Sequence, residues 1–183
     1  MSTVLSTDEL REKIAHELSI NPTQFTSVLA RRYGVSEAEI LRAHPAELVT
    51  ELDASRSEEI IRAFERLGRV MVLVSNEGAI LEANGNFGGF SKEMGFLNII
   101  TDTLDVHVRP EKLASAFAYV KKPHMGSNIT HSIQFFSERG EACLKVFVLD
   151  YVAKQEEGRD YAQQVKTWEE IRDEFRLQPA LLP

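Results

Sequence analysis

The clearest structural signal in the chain is the segment ITHSIQFF at residues 129–136, which is followed by SERG at 137–140 and EACLKVFVL at 141–149. Apolar residues alternate in the first segment, and the last segment is mostly apolar. Both patterns are typical of β-strands. The four residues between them are polar or glycine, which favours a turn. This stretch therefore predicts two antiparallel strands joined by a short turn.

Short apolar or alternating runs bounded by turn residues also precede this hairpin. Asn76, Glu77 and Gly78 predict a first hairpin turn, since Asn and Gly tolerate the positive φ angles that such turns require. Together the runs predict an antiparallel meander of about seven strands, at residues 70–74, 79–83, 96–100, 104–108, 116–120, 129–136 and 141–149.

The segment GNFGGF at residues 85–90 is too rich in glycine to favour a regular element. No Lys-Ser or Lys-Thr pair follows it to open a helix, so it does not match a phosphate-binding loop. We expect a flexible connection or lid, with contact of Phe87 and Phe90 with a ligand as the alternative.

Capping boxes mark the predicted helix starts: a Ser side chain accepts a bond from a free backbone N–H, and a Glu three residues later reaches back. The pairs are Ser6–Glu9, Ser36–Glu39 and Ser55–Glu58, and Gly68 ends this helical region. Residues 159–175 return to helical spacing, with an apolar stripe that should pack on the sheet: Tyr161, Val165, Trp168, Ile171 and Phe175. The order of elements predicts an α+β fold in one domain, 1–183, divided into a helical arm (1–67), an antiparallel sheet (69–150) and a C-terminal helix (159–176).

The composition excludes several classes of protein. The 183 residues carry 21 Lys plus Arg against 28 Asp plus Glu, a net charge of −7, which disfavours nucleic acid because phosphate binding depends on basic residues. A single cysteine, Cys143, excludes an internal disulfide framework. No run approaches the roughly 18 apolar residues of a membrane helix, and residues 1–10 lack the pattern of a signal peptide. We therefore expect a cytoplasmic protein without membrane contact.

The segment LARRYGVS at residues 29–36, followed by EIL at 39–41, is typical of a helix-turn-helix. The second helix and the residues after it are predominantly acidic, which opposes approach to phosphates. We interpret the segment as a helical hairpin that packs on the rest of the protein.

Alternation assigns the histidines to strand faces. His107 shares a polar face with Asp105 and Arg109, whereas His131 shares an apolar face with Ile133 and Phe135 and is expected to be a satisfied core or edge residue. His124 and Met125 lie in the loop KKPHMG (121–126), which could cover a ligand, and we expect His16 and His44 to be exposed.

Three segments in a fixed order carry a family resemblance: LARRYGVS (29–36), GRVM (68–71), and SIQFF (132–136) leading through Gly140 to KVF (145–147). With them the chain, over about residues 28–150, resembles the ChuX/HutX family of cytosolic haem-utilisation proteins. That family is in turn similar to one half of the longer HemS/ChuS haem proteins.

The resemblance implies helices that flank an antiparallel sheet, and a homodimer that imitates the duplicated proteins. It also implies that the domain binds haem, for carriage, storage or delivery to a haem-degrading partner. His107, followed by Val108 and Arg109, matches a family histidine implicated in haem binding and is the candidate axial ligand of the haem iron. Basic residues that could pair with the propionates are Arg109, Lys121, Lys122 and Lys145.

The chain departs from the family pattern at two places. Ser75 stands where a relative has a second histidine, and FSKEMGF (90–96) stands where some relatives carry a histidine-rich stretch. His107 could act alone, or the chain could bind another flat anionic ligand. Otherwise the second contact comes from one of four residues: Met94, His124, Met125 or His131.

Three functional hypotheses follow from these patterns. The first is a non-catalytic haem-binding homodimer for haem utilisation. The second is an enzyme that degrades haem with an external reductant and oxygen. The third is a DNA-binding regulator that uses the helix-turn-helix-like segment and a ligand on the sheet.

Overall fold

The computed structural model describes residues 6–121, 129–148 and 160–178. Within them the chain forms five α-helices, nine strands in two sheets and short 3₁₀ turns. The predicted α+β class is confirmed. The structure has two more strands than predicted, β1 and β4. Each is only four residues long, too short to leave a clear pattern in the sequence.

The α-helices are α1 (Thr7–Ile20), α2 (Thr26–Tyr33), α3 (Glu37–Ala43), α4 (Ser57–Ala63) and α5 (Tyr161–Glu174). The capping boxes at Ser6 and Ser36 are confirmed, with both reciprocal bonds present. The box predicted at Ser55 is wrong. The Ser55 N–H donates to Asp53 Oδ1 at 3.1 Å, so Asp53 caps a 3₁₀ turn over 54–56 and α4 begins two residues after Ser55.

The strands are β1 (Val49–Leu52), β2 (Arg69–Ser75), β3 (Ile80–Asn86), β4 (Phe90–Glu93), β5 (Phe96–Ile100), β6 (Asp105–Val108), β7 (Ser115–Lys121), β8 (Thr130–Phe136) and β9 (Ala142–Val148). Six of them form the main sheet, in the order β1-β7-β8-β9-β2-β3, and β4-β5-β6 form a small sheet. All pairings are antiparallel.

The β2–β3 hairpin forms where it was predicted, but by another device. The Asn76 side chain accepts from the N–H groups of Gly78 and Ala79 at 2.9 and 3.0 Å. Neither Asn76 nor Gly78 has a positive φ. A side-chain-capped turn therefore replaces the predicted left-handed one.

The prediction of a flexible GNFGGF connection is wrong. Gly85 and Asn86 belong to β3, Phe90 opens β4, and Phe87 is only 2% exposed. The Phe87 ring packs edge-on against Phe64, with ring centroids 5.2 Å apart. This segment is the rigid link between the two sheets, and Phe87 is unable to meet a ligand there.

Other elements pack on both sides of the main sheet. The small sheet, α4 and α5 pack on one side around the largest core, which includes Phe64, Ile133, Phe135 and Trp168. The predicted packing of the C-terminal helix is confirmed. Helices α1–α3 lie on the other side, where Ala38 and Leu41 of α3 contact sheet residues including Phe117, Tyr119 and Phe136. This confirms the helical hairpin, since α3 uses its apolar residues for packing.

His44 follows α3 and is 6% exposed, so the expectation of an exposed residue was wrong, whereas His16 is exposed. His44 Nδ1–H donates to the Ile40 carbonyl at 2.7 Å, and Nε2 accepts from the Tyr119 hydroxyl at 3.3 Å. Burial lowers the pKa of His44. The neutral ring joins the helical layer to the sheet.

Candidate functional site

The small sheet has one face toward the core and one toward solvent. Leu97 and Ile99 point inward and are buried, so alternate residues point away. We call the solvent side the outer face. It is formed by Ser91 and Glu93 of β4, by Phe96, Asn98 and Ile100 of β5, by Asp105 and His107 of β6, and by Arg109, which follows β6.

His107 lies on the outer face, as alternation predicted, and 52% of its side chain is exposed. Its Nδ1 lies 2.7 Å from Asn98 Oδ1, and its Nε2 lies 3.2 Å from Asp105 Oδ1. The Asp105 side chain is 71% exposed. An exposed imidazole with one nitrogen directed at an exposed carboxylate can contact a ligand that arrives from solvent.

Arg109 and Phe96 stack beside this imidazole. The guanidinium carbon of Arg109 lies 4.3 Å from the Phe96 ring centroid, and the Phe96 and His107 ring centroids are 6.2 Å apart. Within the part of the chain that the structure describes, no carboxylate pairs with Arg109. The outer face therefore combines an aromatic surface, an imidazole and a cation available for an anionic group.

Met94 is at the tip of the β4–β5 hairpin, with a positive φ of 52° and 93% exposure. It borders a cleft of about 690 Å³ that lies between this hairpin, the start of α4 and the turn after Pro110. Phe96 belongs to both the cleft and the outer face. Of the two possible second contacts that the structure describes, Met94 and His131, Met94 is the exposed one beside the small sheet.

Two other predicted residues point toward the core. Phe90 is on the inner side of β4, with the Arg62 guanidinium 5.0 Å from its ring centroid. His131 is half-buried under α5, where its Nδ1 lies 3.2 Å from the Tyr161 hydroxyl and its ring is edge-on to Trp168. Burial lowers the pKa of His131. This placement confirms the interpretation of His131 as a satisfied residue.

Lys121 and Lys145 lie on the helical side of the main sheet, across the sheet from the small one. Lys145 is buried and forms an ion pair with Glu37 of α3. The Lys121 ammonium lies 4.0 Å from the Phe25 ring centroid, and burial, followed by the charge of Lys145, lowers the pKa of Lys121 to about 8. The structure does not bring these lysines together with His107.

The remaining predicted positions are His124 and Met125 of the 121–126 loop and Ser75 of β2. His124 and Met125 lie outside the described residues. Ser75 pairs with Ile80 at the turn end of the β2–β3 hairpin. Asn86 adjoins the small sheet and lies six residues after Ile80 along β3. Six residues of strand span about 20 Å. Ser75 therefore belongs to the main sheet and not to the outer face.

Sequence reasoning missed the contributions of Asn98 and Phe96. Both lie in a strand that was predicted, on the face that alternation gives to residues 96, 98 and 100. The missing information was the pairing of β5 with β6, which places Asn98 opposite His107. An Asn in an otherwise apolar strand was the signal that could have pointed to it.

Residues 34–175 match the family described as "Haemin-degrading HemS.ChuX domain". The match covers well over half of the chain, which therefore belongs to this family. The predicted relationship to ChuX and HutX is confirmed.

Individual relatives agree with this assignment. The chain is 28% identical over 143 residues to "Intracellular heme transport protein HutX" of Vibrio cholerae, covering 77% of this chain and 73% of HutX. Its fold matches "Structure of the Heme Binding Protein ChuX" with a TM-score of 0.75 and 22% identity, over 90% of this chain and 97% of ChuX. It also matches the Escherichia coli O157:H7 "heme degrading enzyme ChuS" with a TM-score of 0.66 and 15% identity, over 97% of this chain but 50% of ChuS. The chain thus corresponds to one half of the longer ChuS.

Proposed function

We propose that this protein binds haem on the outer face of the small sheet and carries it for haem utilisation. The observation that carries the proposal is the exposed His107 imidazole beside the stacked Phe96 and Arg109. Neutral imidazole is a common haem-iron ligand, and an aromatic ring offers an apolar surface to the porphyrin. HutX, a relative in sequence, is described as an intracellular heme transport protein.

Arg109 is the candidate partner of a haem propionate. Its guanidinium is held on the Phe96 ring and keeps its donors available, since no described carboxylate pairs with it. Arginine pairs with carboxylates through two parallel hydrogen bonds, which would orient the porphyrin relative to His107. Lys145 is occupied by Glu37, and Lys121 lies on the same remote side of the main sheet.

Carriage fits an open platform better than an enclosed cavity. His107 and Ile100 are about half exposed, so a bound haem would remain accessible to a receiving protein. Degradation of haem with an external reductant and oxygen is the second candidate function, and the family description "Haemin-degrading" favours it.

We place the protein in the cytoplasm, which the intracellular description of HutX supports. In the described part of the chain, no helix is long and apolar enough to cross a membrane.

We also propose that the protein forms a homodimer. On the helical side of the main sheet, α3 packs on β1, β7 and β8, whereas Met71, Leu73 and Phe147 of β2 and β9 remain partly exposed. The chain matches half of the length of ChuS, so a second copy of the chain could take the place of the other half of ChuS. Packing of these apolar strips on each other would bury them.

Hemin titration tests the haem site. The wild-type protein should bind about one haem per chain with a shifted Soret band, and His107→Ala should lose that shift. His16→Ala is the matched control, because it removes another exposed histidine outside the small sheet. Unchanged binding by His107→Ala would contradict the site. Adding reductant in air to the same complexes separates the two functions: a stable Soret band indicates carriage, and progressive bleaching with release of iron indicates degradation.

A further inference from the structure

A row of polar side chains crosses the outer face in register. Ser91 of β4 pairs with Asn98 of β5, and Asn98 pairs with His107 of β6. The Asn98 Nδ2 donates to Ser91 Oγ at 3.1 Å, and Asn98 Oδ1 lies 2.7 Å from His107 Nδ1. Asn98 is only 7% exposed. The two bonds therefore give each end of this buried amide a partner.

With the Asn98 oxygen toward the ring, as the structure orients it, one form of the neutral imidazole fits. An amide oxygen is only an acceptor, so the nitrogen that faces it must carry a proton, and Nδ1–H donates to Asn98. In the neutral ring the other nitrogen, Nε2, then has the free lone pair. The opposite amide orientation would place the NH₂ group against Nδ1, let the Ser91 hydroxyl donate to Oδ1 and require the ring proton on Nε2, so each amide orientation goes with one tautomer.

The hydrogen bond also fixes the direction of the ring. His107 lies on an edge strand of the small sheet with half of its side chain exposed, so packing alone restrains it weakly. The bond at Nδ1 anchors one edge of the ring, and Nε2 lies on the opposite edge, where the exposed Asp105 is its described neighbour. An exposed carboxylate side chain can rotate away when a ligand arrives.

We propose that Asn98, anchored by Ser91, is a positioning residue that keeps His107 protonated at Nδ1 and presents Nε2 to the haem iron. The inference rests on the proposed function, since it assigns Asn98 as the hydrogen-bond partner of His107, the proposed ligand of the haem iron. Partners of this kind commonly raise metal affinity about 10- to 100-fold.

Two substitutions with different chemistry test the inference. Asn98→Leu keeps the approximate volume but removes the acceptor, and we expect hemin affinity to fall about 10- to 100-fold. Asn98→Asp retains an oxygen toward Nδ1 and should keep affinity within a few-fold of the wild type. Ser91→Ala removes only the anchor of the amide and should give a smaller loss, so the inference stays testable if Asn98→Leu does not fold.

A readout without haem separates positioning from a general structural effect. Two-bond ¹H–¹⁵N spectra at pH 8.5 should show the His107 proton on Nδ1 in the wild type and in Asn98→Asp. In Asn98→Leu the population should shift toward the Nε2–H form. A wild-type ring protonated mainly at Nε2, or full hemin affinity in Asn98→Leu, would overturn the inference. Failure of the wild type to bind hemin would instead overturn the proposed function, and the positioning role with it.

Discussion

The side chains that gather around His107 illustrate what alternation and charge can predict at the level of one residue. Alternation placed His107, Asp105 and Arg109 on one polar face, and the structure confirms this. Charge alone grouped Lys121 and Lys145 with Arg109, although they lie across the main sheet. Alternation tells which residues of one strand share a face, whereas the sheet topology is needed to tell which faces of separate strands lie on the same side.

His44 predicts a pH dependence of stability. Burial keeps its pKa low in the folded chain, whereas an unfolded chain protonates histidine near pH 6.5. As the pH falls through 6.5, the unfolded state therefore binds a proton that the folded state does not, and the free energy of unfolding decreases. His131, whose pKa burial also lowers, contributes in the same direction.

Urea unfolding between pH 7.5 and 5.5 measures this loss. The carboxylates with lowered pKa values, such as Glu39 and Asp173, lose their contribution only at more acidic pH. The wild type should lose stability across the interval, and His44→Gln should give a shallower slope, with His131→Gln as the comparison. An equal slope in the wild type and His44→Gln would show that His44 is not the source.

At the level of elements, local patterns predicted helices better than short strands. Ser6 and Ser36 cap helices as expected, but at Ser55 a competing cap from Asp53, two residues earlier, starts a 3₁₀ turn first. Strand β1 was hidden in the helical arm because it is only four residues long and gains its stability from pairing with β7. Long-range pairing of this kind leaves little trace in a local sequence pattern.

The glycines of the link between the sheets explain the failed prediction of a flexible loop. A Cβ atom on Gly85 would lie 2.5 Å from Leu104 Cγ, and one on Gly89 would lie 2.1 Å from the Ile100 carbonyl oxygen. Gly89 also has a φ of +55°. Glycine here permits the link to approach Leu104 and the end of β5 closely, so it marks tight packing and not a loose loop.

For the whole molecule, we propose different roles for the two sides of the main sheet: haem binding on the small sheet, and the dimer contact on the apolar strip of the opposite side. Sedimentation should therefore show a wild-type particle of twice the chain mass. Leu73→Glu should give a monomer, because it charges the partly exposed strip. Leu81→Glu, on the adjacent strand with the opposite parity, should leave the dimer intact. A wild-type monomer at all concentrations, or a dimer unaffected by Leu73→Glu, would contradict the arrangement.

The most direct test of the account is to map where hemin binds by the paramagnetic broadening that ferric haem causes in the backbone ¹H–¹⁵N spectrum. If haem binds on the outer face, the signals of residues 96–100 and 105–109 weaken first as hemin is added, while those of Lys121 and Lys145 persist. Early loss of the signals of Lys121, Lys145 and their neighbours, with the small sheet unaffected, would contradict it and move the haem site to the helical side of the main sheet.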